Sequence, residues 1–191
     1  NGWSPATRYG GEEIMRVRSG QWMHGLLRFD LSEVPQDAKI LEARLVIWCI
    51  RQSNPYAFDV DAHMVTSAWD ESTASWLEAS AGVPWGTAGG DYAPEVLDTV
   101  HIDQTTRLYT LDVTEAVARW IEEPAANHGI MLRSTTPYGV EYQFTTSEHI
   151  SLYARPRLEI LYRWFPLPGP TFVATPVTIS LPVATPAVNV E

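Results

Sequence analysis

The chain holds a single cysteine in 191 residues. One thiol cannot close an internal disulfide, so the fold must rest on a hydrophobic core and not on a covalent framework. Cys49 itself lies in the apolar run Leu45-Val46-Ile47-Trp48-Cys49-Ile50 and reads as a small core residue. Basic residues are scarce: 13 Lys plus Arg stand against 23 Asp plus Glu, a net charge of −10. Such a surface repels phosphate backbones and no basic cluster offsets it, which excludes nucleic acid as a natural partner. No run of roughly eighteen apolar residues occurs, so no segment reads as a membrane-spanning helix. The chain starts at Asn1 without a basic-then-apolar leader, as expected of a secreted protein trimmed of its signal peptide or of a fragment.

Chemistry-bearing signatures are missing too. There is no P-loop, no G-x-S-x-G and no H-E-x-x-H. The five histidines, His24, His63, His101, His128 and His149, lack zinc-ligand spacing. Calcium needs roughly six to eight oxygens, and no loop gathers them, so Asp59, Asp61, Asp98 and Asp103 read as a solvated acidic face. Glu141, Glu148 and the Glu12-Glu13 pair do not form a convergent acid–base set by sequence. The expectation is a protein without catalytic residues, metal or cofactor.

What is present is aromatic and apolar residue in strand-like spacing, with hydrophobic residues at 45% and aromatics at 11%. Ile14 to Arg18, Gly25 to Leu31, Phe58 to Val65, Val96 to Ile102 and Arg107 to Leu111 read as short strands. Ile130 to Arg133, Glu141 to Thr145 and Arg157 to Tyr162 continue the series. Along Phe58 to Val65, the residues Phe58, Val60, Ala62 and Met64 fall on one face. Ile40 to Ile50 is apolar on both faces in its second half and predicts a central, covered strand. One helix is expected near residues 113–122, with Asp112 as N-cap, Glu115 closing a capping box, and Val113, Ala116, Val117, Trp120 and Ile121 on one face. Residues 66 to 98 form a long Gly- and Pro-rich connection anchored by Trp69, Trp76 and Trp85. Together these predict an all-β fold, an antiparallel β-sandwich or jelly roll with one short helix.

Several of these segments recur in a recognisable order. Leu26-Leu27-Arg28-Phe29-Asp30-Leu31-Ser32-Glu33-Val34-Pro35 is followed by Ala38, Ile40, Ala43 and Leu45. Then come Trp69-Asp70-Glu71 with Trp76, Leu111-Asp112-Val113-Thr114 with Trp120, and Asn127-His128-Gly129-Ile130. Phe144, Ser147-Glu148 and Arg155-Pro156-Arg157-Leu158 close the series. This order resembles the DNRLRE domain family, also classed as family 96 carbohydrate-binding modules, over about residues 7 to 162. The resemblance implies a β-sandwich, export to the cell surface, attachment to larger surface or polysaccharide-processing proteins, and a structural Arg28–Glu148 pair. It also implies that the usual opening strand is short or missing here.

Sugar rings pack their CH faces on flat aromatics, so loop tryptophans and tyrosines are the candidate contacts. Trp48 and Trp120 lie on expected core faces, and Trp69 and Trp76 are expected to pack the long connection. Trp85, Tyr92, Trp22 and Trp3 have loop context and are the candidates for carbohydrate binding.

The chain divides into a domain over 1–164 and a tail over 165–191. The tail holds six of the fourteen prolines and one charge, Glu191. Val173, Val177, Ile179, Leu181 and Val183 share one face of an extended chain, while Pro176, Pro182 and Pro186 share the other. A solvated linker has no use for such a stripe, so the tail reads as a strand that adds to a sheet edge. Two functions follow from the sequence. The favoured one is an extracellular structural or adhesive protein whose copies assemble, as a filament, through this tail; truncation after Trp164 should then leave a soluble monomer. The other is a non-catalytic carbohydrate-binding module with a C-terminal linker, whose partner is a polysaccharide.

Overall fold

Two antiparallel sheets carry the chain, and alternate residues of their strands meet between them. The structure is a computed structural model that describes residues 1–137, 139–164, 176–182 and 188–190, with the backbone only for residues 177 and 188–190. Its strands are β1 (Ile14–Arg18), β2 (His24–Leu27), β3 (Lys39–Gln52), β4 (Phe58–Met64), β5 (Glu78–Ser80), β6 (Val83–Pro84), β7 (Asp98–Ile102) and β8 (Arg107–Asp112). After helix α1 (Thr114–Glu122) follow β9 (Ile130–Arg133), β10 (Glu141–Thr145), β11 (Arg157–Arg163), β12 (Val177–Pro182) and β13 (Val188–Val190). The first sheet runs β1-β10-β3-β11-β12, with β8 also paired to β3; the second runs β13-β2-β9-β4-β7. A small β5–β6 ribbon lies apart within the long connection. The all-β antiparallel sandwich expected from the sequence is the fold observed.

β3 organises the first sheet because it is long enough to pair three strands: β11 from Lys39 to Val46, β8 from Arg44 to Cys49, and β10 at its end. Its inward residues Ala43, Leu45, Ile47 and Cys49 are fully buried. From the second sheet Phe58, Val60 and Ala62 of β4 and Ile130 and Leu132 of β9 enter the same core. Trp48 has the opposite parity and sits partly covered on the outer face, so its expected core placement does not hold. Helix α1 closes the core with Ala116, Val117, Trp120 and Ile121 buried, the stripe that its spacing predicts.

The helix start differs from expectation. Val113 is the N-cap, with no side-chain cap, and the capping box does not form. Asp112 is still the last residue of β8, opposite Arg44, and its carboxylate instead accepts the Thr114 N–H at 2.9 Å. Strand pairing thus claims the residue that capping chemistry would have used. β2 also ends at Leu27, earlier than the sequence suggests, because Asp30 accepts the Ser32 N–H in a turn.

β12 pairs antiparallel with β11 of the same chain, with Leu181 opposite Leu158 and Ile179 opposite Ile160. Leu181 is buried and belongs to the main core, and Ile179 packs against it. Ile179 and Leu181 of the expected apolar stripe therefore have a seat within the chain itself. Val173 and Val183, the ends of that stripe, lie outside the described residues. β13 pairs with β2 at the edge of the second sheet.

Candidate functional site

The turn between β1 and β2 carries the chain from one sheet to the other. It needs left-handed backbone at Gly20 and Gln21, which aims Trp22 outward. The N-terminal segment is pinned onto this turn: Gly2 N–H donates to the Trp22 carbonyl at 3.1 Å. Trp3 thereby comes to lie beside Trp22, ring centroids 6.1 Å apart and planes 26° from parallel. Both rings stay open to solvent, Trp3 at 57% and Trp22 at 46% exposure. Buried tryptophans are common, but two stacked ones left in water make an unusual apolar surface for a domain with so large a core.

Polar groups border the pair. The Arg18 guanidinium stands 4.8 Å from the Trp3 ring centroid, a cation–π contact. It is held by Glu141, whose carboxylate also approaches Arg16 at 3.8 Å and accepts from the Gln143 amide at 2.9 Å. Arg16, Arg18, Glu141 and Gln143 belong to the paired strands β1 and β10, so they are fixed by sheet register. The site thus combines flat apolar faces with a row of rigidly mounted donors and acceptors. Sequence reasoning found Trp3 and Trp22 separately and missed Arg16 and Arg18. The signal available was the alternation of Ile14-Met15-Arg16-Val17-Arg18, which turns both arginines away from buried Met15 and Val17.

The other two aromatic candidates lie elsewhere. Trp85 is 6% exposed and packs in a second cluster with Leu26, Val65, Trp69 and Met131; its Nε1–H donates to the Ser75 carbonyl at 2.9 Å. It serves the packing of the long connection, because the β5–β6 ribbon folds it inward. Tyr92 is partly buried on the rim of a depression of about 470 Å³ bordered by Thr66, Ser67, Thr87 and Asp91. Its ring packs on His63 and its hydroxyl accepts from Arg133.

Carboxylates collect in two further places. Asp59 pairs with His101 at 2.7 Å and Asp61 accepts from Thr99 at 2.7 Å, on an exposed face of β4 and β7. Among the described residues no group of three or more His, Cys, Asp or Glu is placed to hold a metal ion. Glu71 is the more perturbed group. Burial pushes its carboxyl up to about 8, and the Glu148 charge adds to this while Arg28 opposes it. Arg28 itself lies over the Trp69 ring, 5.2 Å from its centroid. Arg28 and Glu148, the pair implied by the resemblance, thus both lie near enough to Glu71 for their charges to act on its carboxyl. A groove of about 570 Å³ between residues 28–36 and the end of α1 is walled by Phe29, Val34, Trp120 and Ile121, all buried, and presents no open aromatic face.

An antiparallel sandwich that mounts an exposed aromatic pair beside fixed polar groups has the build of a glycan-binding module. Comparison with known families matches the chain to carbohydrate-binding module family 96 over residues 1–162, and the chain belongs to this family. The match begins at residue 1, ahead of residue 7 where the resemblance is expected to begin, and so takes in Trp3. No curated protein matches the chain. Among the described residues no helix is long and apolar enough to cross a membrane.

Proposed function

We propose that this chain is an extracellular, non-catalytic carbohydrate-binding module that seats a polysaccharide on Trp3 and Trp22. The observation that carries the reading is the pair of stacked, solvent-open rings with the Arg18 guanidinium beside them. Sugar CH faces would cover the rings, while Arg18 offers donors to hydroxyl or carboxyl groups at the sugar edge and Gln143 to hydroxyls. Tyr92 is a candidate for a second, separate contact. Family membership supports the class of ligand and leaves the sugar to experiment.

Affinity electrophoresis of the intact chain through gels containing neutral and acidic polysaccharides tests this directly. Trp3→Ala and Trp22→Ala should each weaken retention about tenfold, equivalent to about 1.4 kcal/mol, with the melting temperature nearly unchanged. Retention of both variants equal to the parent would move the site elsewhere, and no retention of the parent on any polysaccharide would remove the reading.

A second reading rests on β12. A strand of six residues that completes a sheet edge can make the same contacts on another copy, joining molecules into a surface assembly without new chemistry. Light scattering at rising protein concentration decides it: growth in mass supports exchange, and a constant monomer mass removes it.

A further inference from the structure

The long connection between β4 and β7 is tied to the outer face of the second sheet by His24, His63 and Arg133, with Asp61 of β4 opposite Arg133 in the register. His24 of β2 directs Nδ1 at the Gly89 carbonyl, 2.9 Å away. His63 of β4 directs Nδ1 at the carbonyls of Ala93 and Glu95, both at 3.0 Å. Carbonyl oxygens only accept, so each Nδ1 carries the proton and each Nε2 is the lone-pair side. Aromatics from the connection cover the rings: Trp76 lies 5.0 Å from His24 and Tyr92 lies 4.9 Å from His63. Arg133 of β9, 7% exposed, places its guanidinium 4.6 Å from the Tyr92 ring centroid and donates to the Tyr92 hydroxyl.

An added proton goes to Nε2. That of His24 is buried with no hydrogen-bond partner among the described residues, so the charged ring would bury a donor without an acceptor. The charges around it are unfavourable: Arg133 and His63. Near His63, Arg133 opposes protonation and Asp61 favours it. The carboxylates of the connection do not compensate. Asp91 is engaged by the N–H groups of Gly86 and Thr87 and by the Ser67 hydroxyl, and Glu95 meets His63 only through its carbonyl.

We propose that His24, His63 and Arg133 form an acid-sensitive latch, which clamps residues 85–95 to the second sheet at neutral pH and releases them when the two rings take up protons. Release bares Trp76, Trp85 and Tyr92, so an acidic medium would expose apolar surface that a neutral one hides. The pH window follows from His24, which burial lowers from 6.5 to about 4. The open form binds more protons between those values. The latch is therefore at full strength above about 6.5 and weakens as pH falls toward about 4.

Hydrogen–deuterium exchange of the intact chain, corrected for intrinsic rates, tests the latch. From the His24 values alone, opening should rise on the order of fiftyfold between pH 7 and pH 4.5. Peptides from residues 66–97 should follow that rise, while those from β3, β8 and β11 stay flat. His24→Asn with His63→Asn should abolish it, since the Asn amide keeps a donor near Nδ1 and cannot titrate. An equal response across the whole domain, or a full response in the double variant, overturns the latch. If that variant does not fold, ring signals of the unmodified chain decide by NMR: a His24 midpoint below 5 supports the proposal, and one near 6.5 overturns it.

Discussion

Replacing Leu181 by Ala measures how firmly the tail strand is bound. The side chain is 4% exposed, belongs to the main core and lies opposite fully buried Leu158. Truncating a buried leucine loses its transfer energy and leaves a cavity, about 2–5 kcal/mol in all. β12 is an edge strand at the end of its sheet, where neighbours can relax into the gap, so the lower half of that range, about 2–3 kcal/mol, is expected. For a domain of this size that lowers the melting temperature by roughly 5–10 °C. Ser180→Ala, on the exposed face of the same strand, should stay within about 0.5 kcal/mol. Urea titrations followed by tryptophan fluorescence give both values. The concentration dependence of the midpoint adds a second readout: none if β12 pairs within its chain, a rise with concentration if copies exchange it. A Leu181→Ala variant indistinguishable from the parent would refute the reasoning, because it would mean that β12 contributes no bound surface.

Three further outcomes are expected. Trp85→Ala should cost about 3–5 kcal/mol of stability and leave polysaccharide affinity unchanged, since the ring is packed inside the long connection; weakened binding at unchanged stability would contradict its placement. Glu71 holds its proton in the folded state up to about 8 against 4.5 for the free side chain, so its contribution to stability declines as pH rises through that window. Glu71→Gln should flatten this decline in melts taken from pH 5 to 9, and an unaltered slope would acquit Glu71. Burial pushes the Cys49 thiol up to about 12, so alkylation at pH 8 should proceed only as fast as unfolding, and rapid labelling of native protein would deny it a core position.

Period-two spacing made most of the sandwich legible. Phe58, Val60 and Ala62 are buried where alternation puts them, and the stripe of α1 was readable from Ala116 to Ile121. Failures arose where one residue could serve two local structures. Asp112 suits an N-cap, yet it is also the last pairing residue of β8, and the ladder with Arg44 prevails. Trp48 lies in an apolar run whose two faces differ only by which sheet side they meet, and sequence does not choose between them. The candidate site was half legible. Trp3 and Trp22 carry the loop context of sugar contacts, but their stacking depends on a main-chain bond from Gly2 to Trp22 that no spacing encodes. Trp85 has the same loop context and the opposite fate, because the β5–β6 ribbon that buries it is too short to leave a periodic trace.

β12 closes one end of the first sheet and β13 closes the β2 edge of the second. A chain clipped after Trp164 would lose both covers at once. It would present the unpaired backbone of β11 and β2 together with Leu158 and Ile160 newly bordering solvent. Bare, flat, apolar edges recruit strands from other molecules, so such a clipped form is a seed for aggregation. A protease acting on the tail would thus convert a well-behaved module into an insoluble one without touching Trp3 or Trp22.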